Sequence, residues 1–327
     1  MTFVFKRLLT VLFILTAALS NTTRAAEPVP VIFDTDIGSD IDDMVALSLI
    51  LKSPELDLKL VTTASEDTRY RAQVAAKFLT KAGRTDIPVG MGERFEGKAE
   101  FHKPWVADFA LSDYQGDIIE DGAGAIIQLL KQSSDPVTII VAGPMHNIAA
   151  VLERAPELAA KMRVVGMHGS IYKGYGDEPS AEYNVQNNVP AFRKVLHAPL
   201  HSFTITPLDT CGDMIFDGEQ YQQLKNSTDK QLEVIFENYP IWAGLVTWEN
   251  ADYLASRSSV MYDAVAVYLA LPDHGWLPAE PMHLSVTGDG FTVPADSGPQ
   301  VKVALEWANR DAFKQWFVER MLTSTTR

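Results

Sequence analysis

Residues 29–51 read VPVIFDTDIGSDIDDMVALSLIL, and two periodicities meet inside them. The apolar run at 29–34 is short and ends in acidic residues, which reads as a buried strand. From 42 to 52 the pattern turns helical, with Met44, Leu47 and the Ile50/Leu51 pair on one side. Between them lie five carboxylates in ten residues: Asp34, Asp36, Asp40, Asp42 and Asp43. Strand, acidic turn and helix in that order open a βα unit. The acidic turn falls at the carboxyl end of the strand, where open α/β sheets hold their ligands.

Outward from this unit the alternation continues. Strands are predicted at 58–63, 137–141, 163–167, 203–206 and 301–305, and helices at 69–82, 121–131, 147–155, 190–196 and 310–322. Residues 229–256 are rich in Trp, Tyr, Phe and Glu without strand punctuation, so helices broken near Pro240 are expected there. The fold class is therefore α/β: an open, mostly parallel, Rossmann-like sheet with helices on both faces and a helical insertion. Connections in such a sheet are right-handed.

The chain has 327 residues, 46% hydrophobic and 21% charged, an ordinary globular composition with enough length for a large core. That excludes a disordered tail, a collagen-like chain and a disulfide-stapled miniprotein. A net charge of −14 argues against nucleic acid or an anionic membrane as partner and suits a cation or a neutral small molecule. Lys6 and Arg7 precede an apolar run from Leu8 to Leu19, followed by polar residues 20–23 and the small residues Ala25 and Ala26. This is the layout of a secretory signal peptide, with a run too short for a comfortable membrane span; an uncleaved anchor is the alternative. Residues 1–25 are expected to be removed and 26–327 to form a single domain, exported to the periplasm or secreted and free of the membrane. Cleavage removes Lys6, Arg7 and Arg24, leaving 25 basic against 42 acidic residues and a net charge of −17. Cys211 is alone, so no internal disulfide forms, and a buried, inert thiol is expected.

Five carboxylates beside a helix N-terminus repel one another. The helix dipole favours one or two anions, and the rest need a cation or protons. Hard oxygen ligands suit Ca²⁺ or Mg²⁺. A solvated acidic loop with Asp40 as helix N-cap is the plain alternative, and the position after a buried strand argues against it. An EF-hand loop counted from Asp34 would need Gly at its sixth position and Glu at its twelfth. Gly38 falls at the fifth and Val45 at the twelfth, so that reading fails.

The cluster resembles the N-terminal signature of the inosine–uridine-preferring nucleoside hydrolases, Asp-x-Asp-x-Gly-x-Asp-Asp, with two extra residues before the final pair. Other segments resemble the same family in the same order. These are Leu60-Val61-Thr62-Thr63, Asp86-Ile87-Pro88-Val89, Gly143-Pro144-Met145-His146-Asn147, Ala181-Glu182-Tyr183-Asn184 and Tyr262-Asp263-Ala264, the last where the family usually has His-Asp-Pro. The resemblance covers nearly the whole mature chain.

It implies a nucleoside hydrolase fold and a calcium-dependent hydrolase that cleaves the N-glycosidic bond of ribonucleosides to base and ribose. The family's Ca²⁺ ion is held by Asp side chains and one backbone carbonyl and carries the attacking water. Carried over, Asp36, Asp43 and Asp263 are ligands through their carboxylates and His146 through its carbonyl, with Asp36 also the general base. Asp42, Glu182 and Asn184 hold the ribose hydroxyls; carboxylates there stabilise the oxocarbenium-like transition state. Asn147 supports its loop. Family members are usually dimers or tetramers, so a homo-oligomer is expected.

The chain departs from the family at several positions. Tyr262 replaces a His that helps protonate the leaving base; a tyrosine with an ordinary pKa near 10 is a weaker acid, and plain packing is its other reading. Glu66-Asp67 replaces Gly-Asn, so Asp67 contacts the sugar where an Asn would. Gly176 falls where a further sugar-binding Asn is common. Trp242, Trp248 and Tyr239 either stack on the base or fill the helical core. His168 ends a strand facing the site.

Two rivals remain. A haloacid-dehalogenase-like phosphatase would use Asp34-Thr35-Asp36 and Gly288-Asp289-Gly290, but Gly38 stands where its nucleophile motif wants Thr or Val. An exported, calcium-dependent nucleoside- or sugar-binding protein without turnover would keep the same acidic cluster, and Tyr262 keeps that reading open.

Overall fold

The structure, a computed structural model, describes residues 27–97, 99–248 and 255–323. The expected signal peptide and residues 249–254 of the expected helical insertion lie outside the described residues. Among the described residues ten strands run β1 (Val29–Thr35), β2 (Leu56–Thr63), β3 (Val89–Met91), β4 (Ile118–Ile119), β5 (Val137–Val141), β6 (Met162–Met167), β7 (Ser202–Thr206), β8 (Glu280–Val286), β9 (Thr292–Pro294) and β10 (Gln300–Val303). They form one sheet in the order β4-β3-β2-β1-β5-β6-β7-β10-β8-β9. All neighbours are parallel as far as β10; β8 and β9 then add an antiparallel edge.

This order positions the site. From β1 the chain builds outward to β4 on one side, returns, and builds β5 to β7 on the other. The crevice at such a reversal, beyond the carboxyl ends of β1 and β5, is where doubly wound sheets bind ligands. The pleat of β1 sends Val31 and Phe33 into one apolar cluster and Ile32 into the other, so both faces are covered and the strand reads as unbroken apolar sequence.

The helix Asp42–Leu51 is buried on every side rather than along the single stripe that its sequence suggests. It lies between the sheet and the helices Lys230–Ala243, Tyr262–Ala270 and Arg310–Leu322, which explains its apolar character all round. The expected strands and helices recur with ends moved by a residue or two. The expected break near Pro240 does not occur: the helix Lys230–Ala243 runs through it. Proline removes one N–H, and with the helix ending three residues later little of the ladder remains to be lost. The helix Tyr262–Ala270 has a short apolar sequence that periodicity alone does not separate from a buried strand. Among the described residues no helix is long and apolar enough to cross a membrane.

Candidate active site

The acidic turn leaves β1 at Thr35 and re-enters regular structure at Asp42. Glycine geometry and side-chain hydrogen bonds hold its backbone. Gly38 has φ +109°, a conformation for glycine, and a Cβ there would lie 2.8 Å from the Tyr70 ring. The Tyr70 hydroxyl donates to the Gly38 carbonyl at 3.1 Å and accepts from the His102 N–H at 2.8 Å. Trp242 Nε1–H donates to the Ser39 carbonyl at 3.2 Å. Trp242 is thus a buried strut for the turn rather than an open stacking platform. On the β5 side Gly143 lets the chain pass close: an added Cβ would sit 2.8 Å from the Asp36 backbone nitrogen.

The turn and two helix starts bring carboxylates together. Asp42 and Asp43 occupy the first turn of one helix, Asp263 the first turn of another, where the dipoles favour negative charge. Each offers an oxygen, and these atoms lie within 4.8 Å of one another. All three residues are buried. The Asp263 N–H donates to Asp42 Oδ2 at 3.1 Å, and Thr35 Oγ1–H donates to Asp43 Oδ1. Burial raises the pKa of Asp42 to about 7. Burial and then the neighbouring carboxylates hold Asp43 and Asp263 well above the ordinary range. Such a group is stable only with protons or a cation, and three buried carboxylates are a hard-oxygen set that fits a divalent ion.

Sequence reasoning grouped Asp36, rather than Asp42, with Asp43 and Asp263. In the structure Asp42 makes up the close group, because it neighbours Asp43 on the helix. Asp36 stands beside it, its Oδ2 accepting from Ser39 Oγ–H at 3.1 Å and lying 4.0 Å from Arg71 Nη2. His146 opens the helix that follows β5. Its ring packs on Phe95 with centroids 4.6 Å apart, its Nδ1 is buried without a partner, and burial lowers its pKa.

Glu182 caps the helix Tyr183–Asn187. Its carboxylate accepts from the N–H groups of Gly169, Asn184 and Val185 at 2.9, 2.7 and 3.1 Å. Burial nevertheless raises its pKa to about 7. Asn184 Nδ2 donates to the carbonyls of Ala142 and Met167, both at 3.0 Å, tying the ends of β5 and β6. Asn147 makes a similar tie, donating to Asp34 Oδ1 at 2.7 Å and to the Thr63 carbonyl at 3.0 Å. Asp67 is the N-cap of the helix Thr68–Lys81 and pairs with Arg94 at 2.6 Å. Tyr262 is half-buried, its ring edge-on to Tyr175 at 6.5 Å; burial drives its pKa upward. His168 is fully buried, with Nε2 3.1 Å from the Gly143 carbonyl, and burial lowers its pKa to about 3. Tyr239 is buried against Ser259, whereas Trp248 is exposed and edge-on to Phe101.

Two participants escaped sequence reasoning. Tyr175 borders Tyr262 from the loop after β6, and its hydroxyl accepts from the Tyr183 N–H at 3.0 Å. Arg71 lies fully buried behind the acidic turn, although an arginine in a helix ordinarily reads as solvated. No spacing in the sequence marks either one.

Residues 31–315 match the family described as inosine-uridine preferring nucleoside hydrolase. A pyrimidine-specific ribonucleoside hydrolase, RihA, from Enterobacter sp. (strain 638) is 35% identical over 176 residues, 48% of this chain and 52% of that protein. A non-specific ribonucleoside hydrolase, RihC, from Klebsiella pneumoniae is 29% identical over 222 residues, 64% of this chain and 72% of that one. The chain thus spans about half the length of the pyrimidine-specific relatives it matches. Among solved structures, a plant nucleoside hydrolase, PpNRh1, superposes with TM-score 0.76 at 23% identity, covering 90% of this chain and 99% of its own. An inosine-uridine preferring nucleoside hydrolase from Bacillus anthracis gives TM-score 0.70 at 18% identity with the same coverage.

Proposed function

The chain belongs to the inosine-uridine preferring nucleoside hydrolase family, and from that premise we propose that it hydrolyses the N-glycosidic bond of ribonucleosides with the help of bound Ca²⁺. The observation that carries this reading is the buried group of Asp42, Asp43 and Asp263 at the reversal point of the sheet, with Asp36 beside it. Its donor set is what a hard divalent ion requires. Asp43, Asp263, the His146 carbonyl and Asp36 or Asp42 would hold the ion. When bound, it would supply Lewis acidity, lowering the pKa of water and orienting it toward the sugar.

The chain's own residues supply the rest. Asp36 accepts the proton of the attacking water. As the C1′–N bond lengthens, positive charge develops on the ribose ring, and the surrounding carboxylates stabilise it. Asp42, Glu182, Asn184 and Asp67 are assigned to sugar hydroxyls. Burial raises the pKa of Tyr262, so the phenol offers the departing base a hydrogen bond, and the base takes up its proton from solvent water as it leaves. The identity shared with pyrimidine-specific hydrolases supports uridine and cytidine as first substrates. The phosphatase reading loses its second motif, since Asp289 lies in the exposed turn between β8 and β9. Export and assembly into a homo-oligomer complete the proposal, supported respectively by the N-terminal sequence and by the family resemblance.

The deciding experiment is reducing-sugar release from uridine, cytidine, inosine and guanosine by the mature protein, with and without a calcium chelator. Chelator-sensitive release supports the proposal. Calorimetric Ca²⁺ binding with no release from any nucleoside would turn the reading into a binding protein without turnover.

A further inference from the structure

Behind the acidic turn lies an ion pair that the reaction outlined above leaves unexplained. Arg71 is fully buried. Its Nε–H donates to the Ser65 carbonyl at 2.9 Å, and Nη2–H donates to Glu66 Oε2 at 2.9 Å. Nη1 donates to the Asp36 carbonyl and, at 3.3 Å, to the Ile37 carbonyl. Four of the five guanidinium protons are thereby satisfied, and Nη2 also lies 4.0 Å from Asp36 Oδ2.

The partner side of this arrangement is built under strain. Ser65 and Glu66 have φ of +67° and +48°, left-handed values that side chains other than glycine and asparagine adopt rarely. That conformation aims the Ser65 carbonyl at Nε and the Glu66 carboxylate at Nη2. Glu66 is fixed further: its carboxylate accepts from the Ala99 N–H at 3.2 Å and its carbonyl from the Phe95 N–H at 2.8 Å. A planar fork fits two successive carbonyls and a carboxylate at once; a lysine ammonium does not.

We infer that Arg71, braced by Glu66, is a positioning residue for Asp36. It fixes the backbone of residues 36–37 so that the Asp36 carboxylate is held beside Asp42, Asp43 and Asp263, and through Glu66 it couples that turn to Phe95 and Ala99. The inference rests on the hydrolytic reading of the site and concerns a residue outside the acidic cluster.

The test compares wild type, Arg71→Met, Arg71→Lys and Glu66→Gln, all as full mature chain. Three quantities are read: kcat and KM for uridine hydrolysis, Ca²⁺ affinity by calorimetry, and melting temperature. For Arg71→Met, kcat per folded protein and Ca²⁺ affinity should each fall about 10- to 100-fold, with KM shifting far less. Arg71→Lys should recover part of both, and Glu66→Gln should lower kcat about 3- to 10-fold. A merely structural arginine would lower the melting temperature and leave kcat and Ca²⁺ affinity of the folded protein unmoved. Wild-type kcat and Ca²⁺ affinity in Arg71→Lys and Glu66→Gln would overturn the inference, even where Arg71→Met does not fold. If wild type itself hydrolyses no nucleoside, the functional reading fails instead. The Ca²⁺ isotherms then decide alone, unchanged affinity in both conservative variants overturning the role of Arg71.

Discussion

The backbone N–H of Asp263 donates to Asp42 Oδ2 across 3.1 Å. One carboxylate thereby joins the starts of two helices and stands within the acidic group. Its pKa is pushed up to about 7 by burial, and repulsion from Asp36 adds to the effect. On the hydrolytic reading proposed above, function and folding stability therefore pull in opposite directions at this point.

That opposition is measurable at Asp43. Asp43→Asn keeps an oxygen for the Thr35 hydroxyl and removes one of the mutually repelling charges. In chelator the variant should be more stable than wild type, by about 1–2 kcal/mol in denaturant titrations. With Ca²⁺ present its kcat should be at least roughly 100-fold lower. A variant that is less stable in chelator would show that repulsion is relieved in some other way.

Ca²⁺ should also stabilise the wild-type fold. At a free concentration 100 times Kd, binding to the native state alone contributes about 2.7 kcal/mol. In a chain of this size that raises Tm by about 3–8 °C. Scanning calorimetry across a Ca²⁺ series checks this, and Asp263→Asn should abolish most of the increment.

Glu182 gives a separate pH signature. Its pKa rises from the usual 4.5 to about 7 in the fold because burial outweighs three backbone hydrogen bonds. A carboxyl with a raised folded pKa contributes stability that is complete below about 4.5 and is lost as pH rises through about 7. The stability difference between wild type and Glu182→Gln should therefore shift against wild type from pH 4.5 to 8, by roughly 3 kcal/mol at most. Denaturant midpoints at several pH values suffice, and a pH-independent difference would mean that Glu182 is ionised throughout.

Tyr262→Phe should fold like wild type, because the ring packing against Tyr175 survives. Loss of one hydrogen bond to the leaving base should lower kcat by about 10-fold or less. Burial holds this phenol protonated, so the alkaline limb of the wild-type pH–rate profile should persist unchanged in the variant. Disappearance of that limb would identify Tyr262 as a titrating acid.

At Gly38 a methyl group would meet the Tyr70 ring while φ stays at +109°. Gly38→Ala should cost about 1–3 kcal/mol and displace the turn, lowering activity in the folded fraction. Wild-type Tm and kcat would mean that Tyr70 moves aside freely.

Much of this architecture was legible in residues 29–51, because a buried strand, an acidic turn and a helix each leave a periodic or compositional trace. The sheet followed from repetition of that unit. What stayed hidden was whatever depends on partners distant in sequence. Arg71 is indistinguishable from a surface arginine until Asp36 and Ile37 are folded over it. Asp42 rather than Asp36 completes the close group because it neighbours Asp43 on the helix, while Asp36 lies in the turn before it with one oxygen accepting from Ser39. The helix Tyr262–Ala270 is too short and too uniformly apolar for its period to show. At Glu182 and Asn184 the motif implies hydroxyl recognition; what the structure shows is Glu182 capping its helix and Asn184 tying the ends of β5 and β6.

The acidic group draws Asp42 and Asp43 from the first strand–helix unit and Asp263 from a helix 221 residues later in the chain. No fragment that stops before Asp263 carries the complete group, and no intermediate lacking the later helix brings it together. Capture of a divalent ion by this group would therefore report finished folding: in a refolding reaction, metal uptake should lag behind formation of the central parallel strands and coincide with docking of the 262–270 helix.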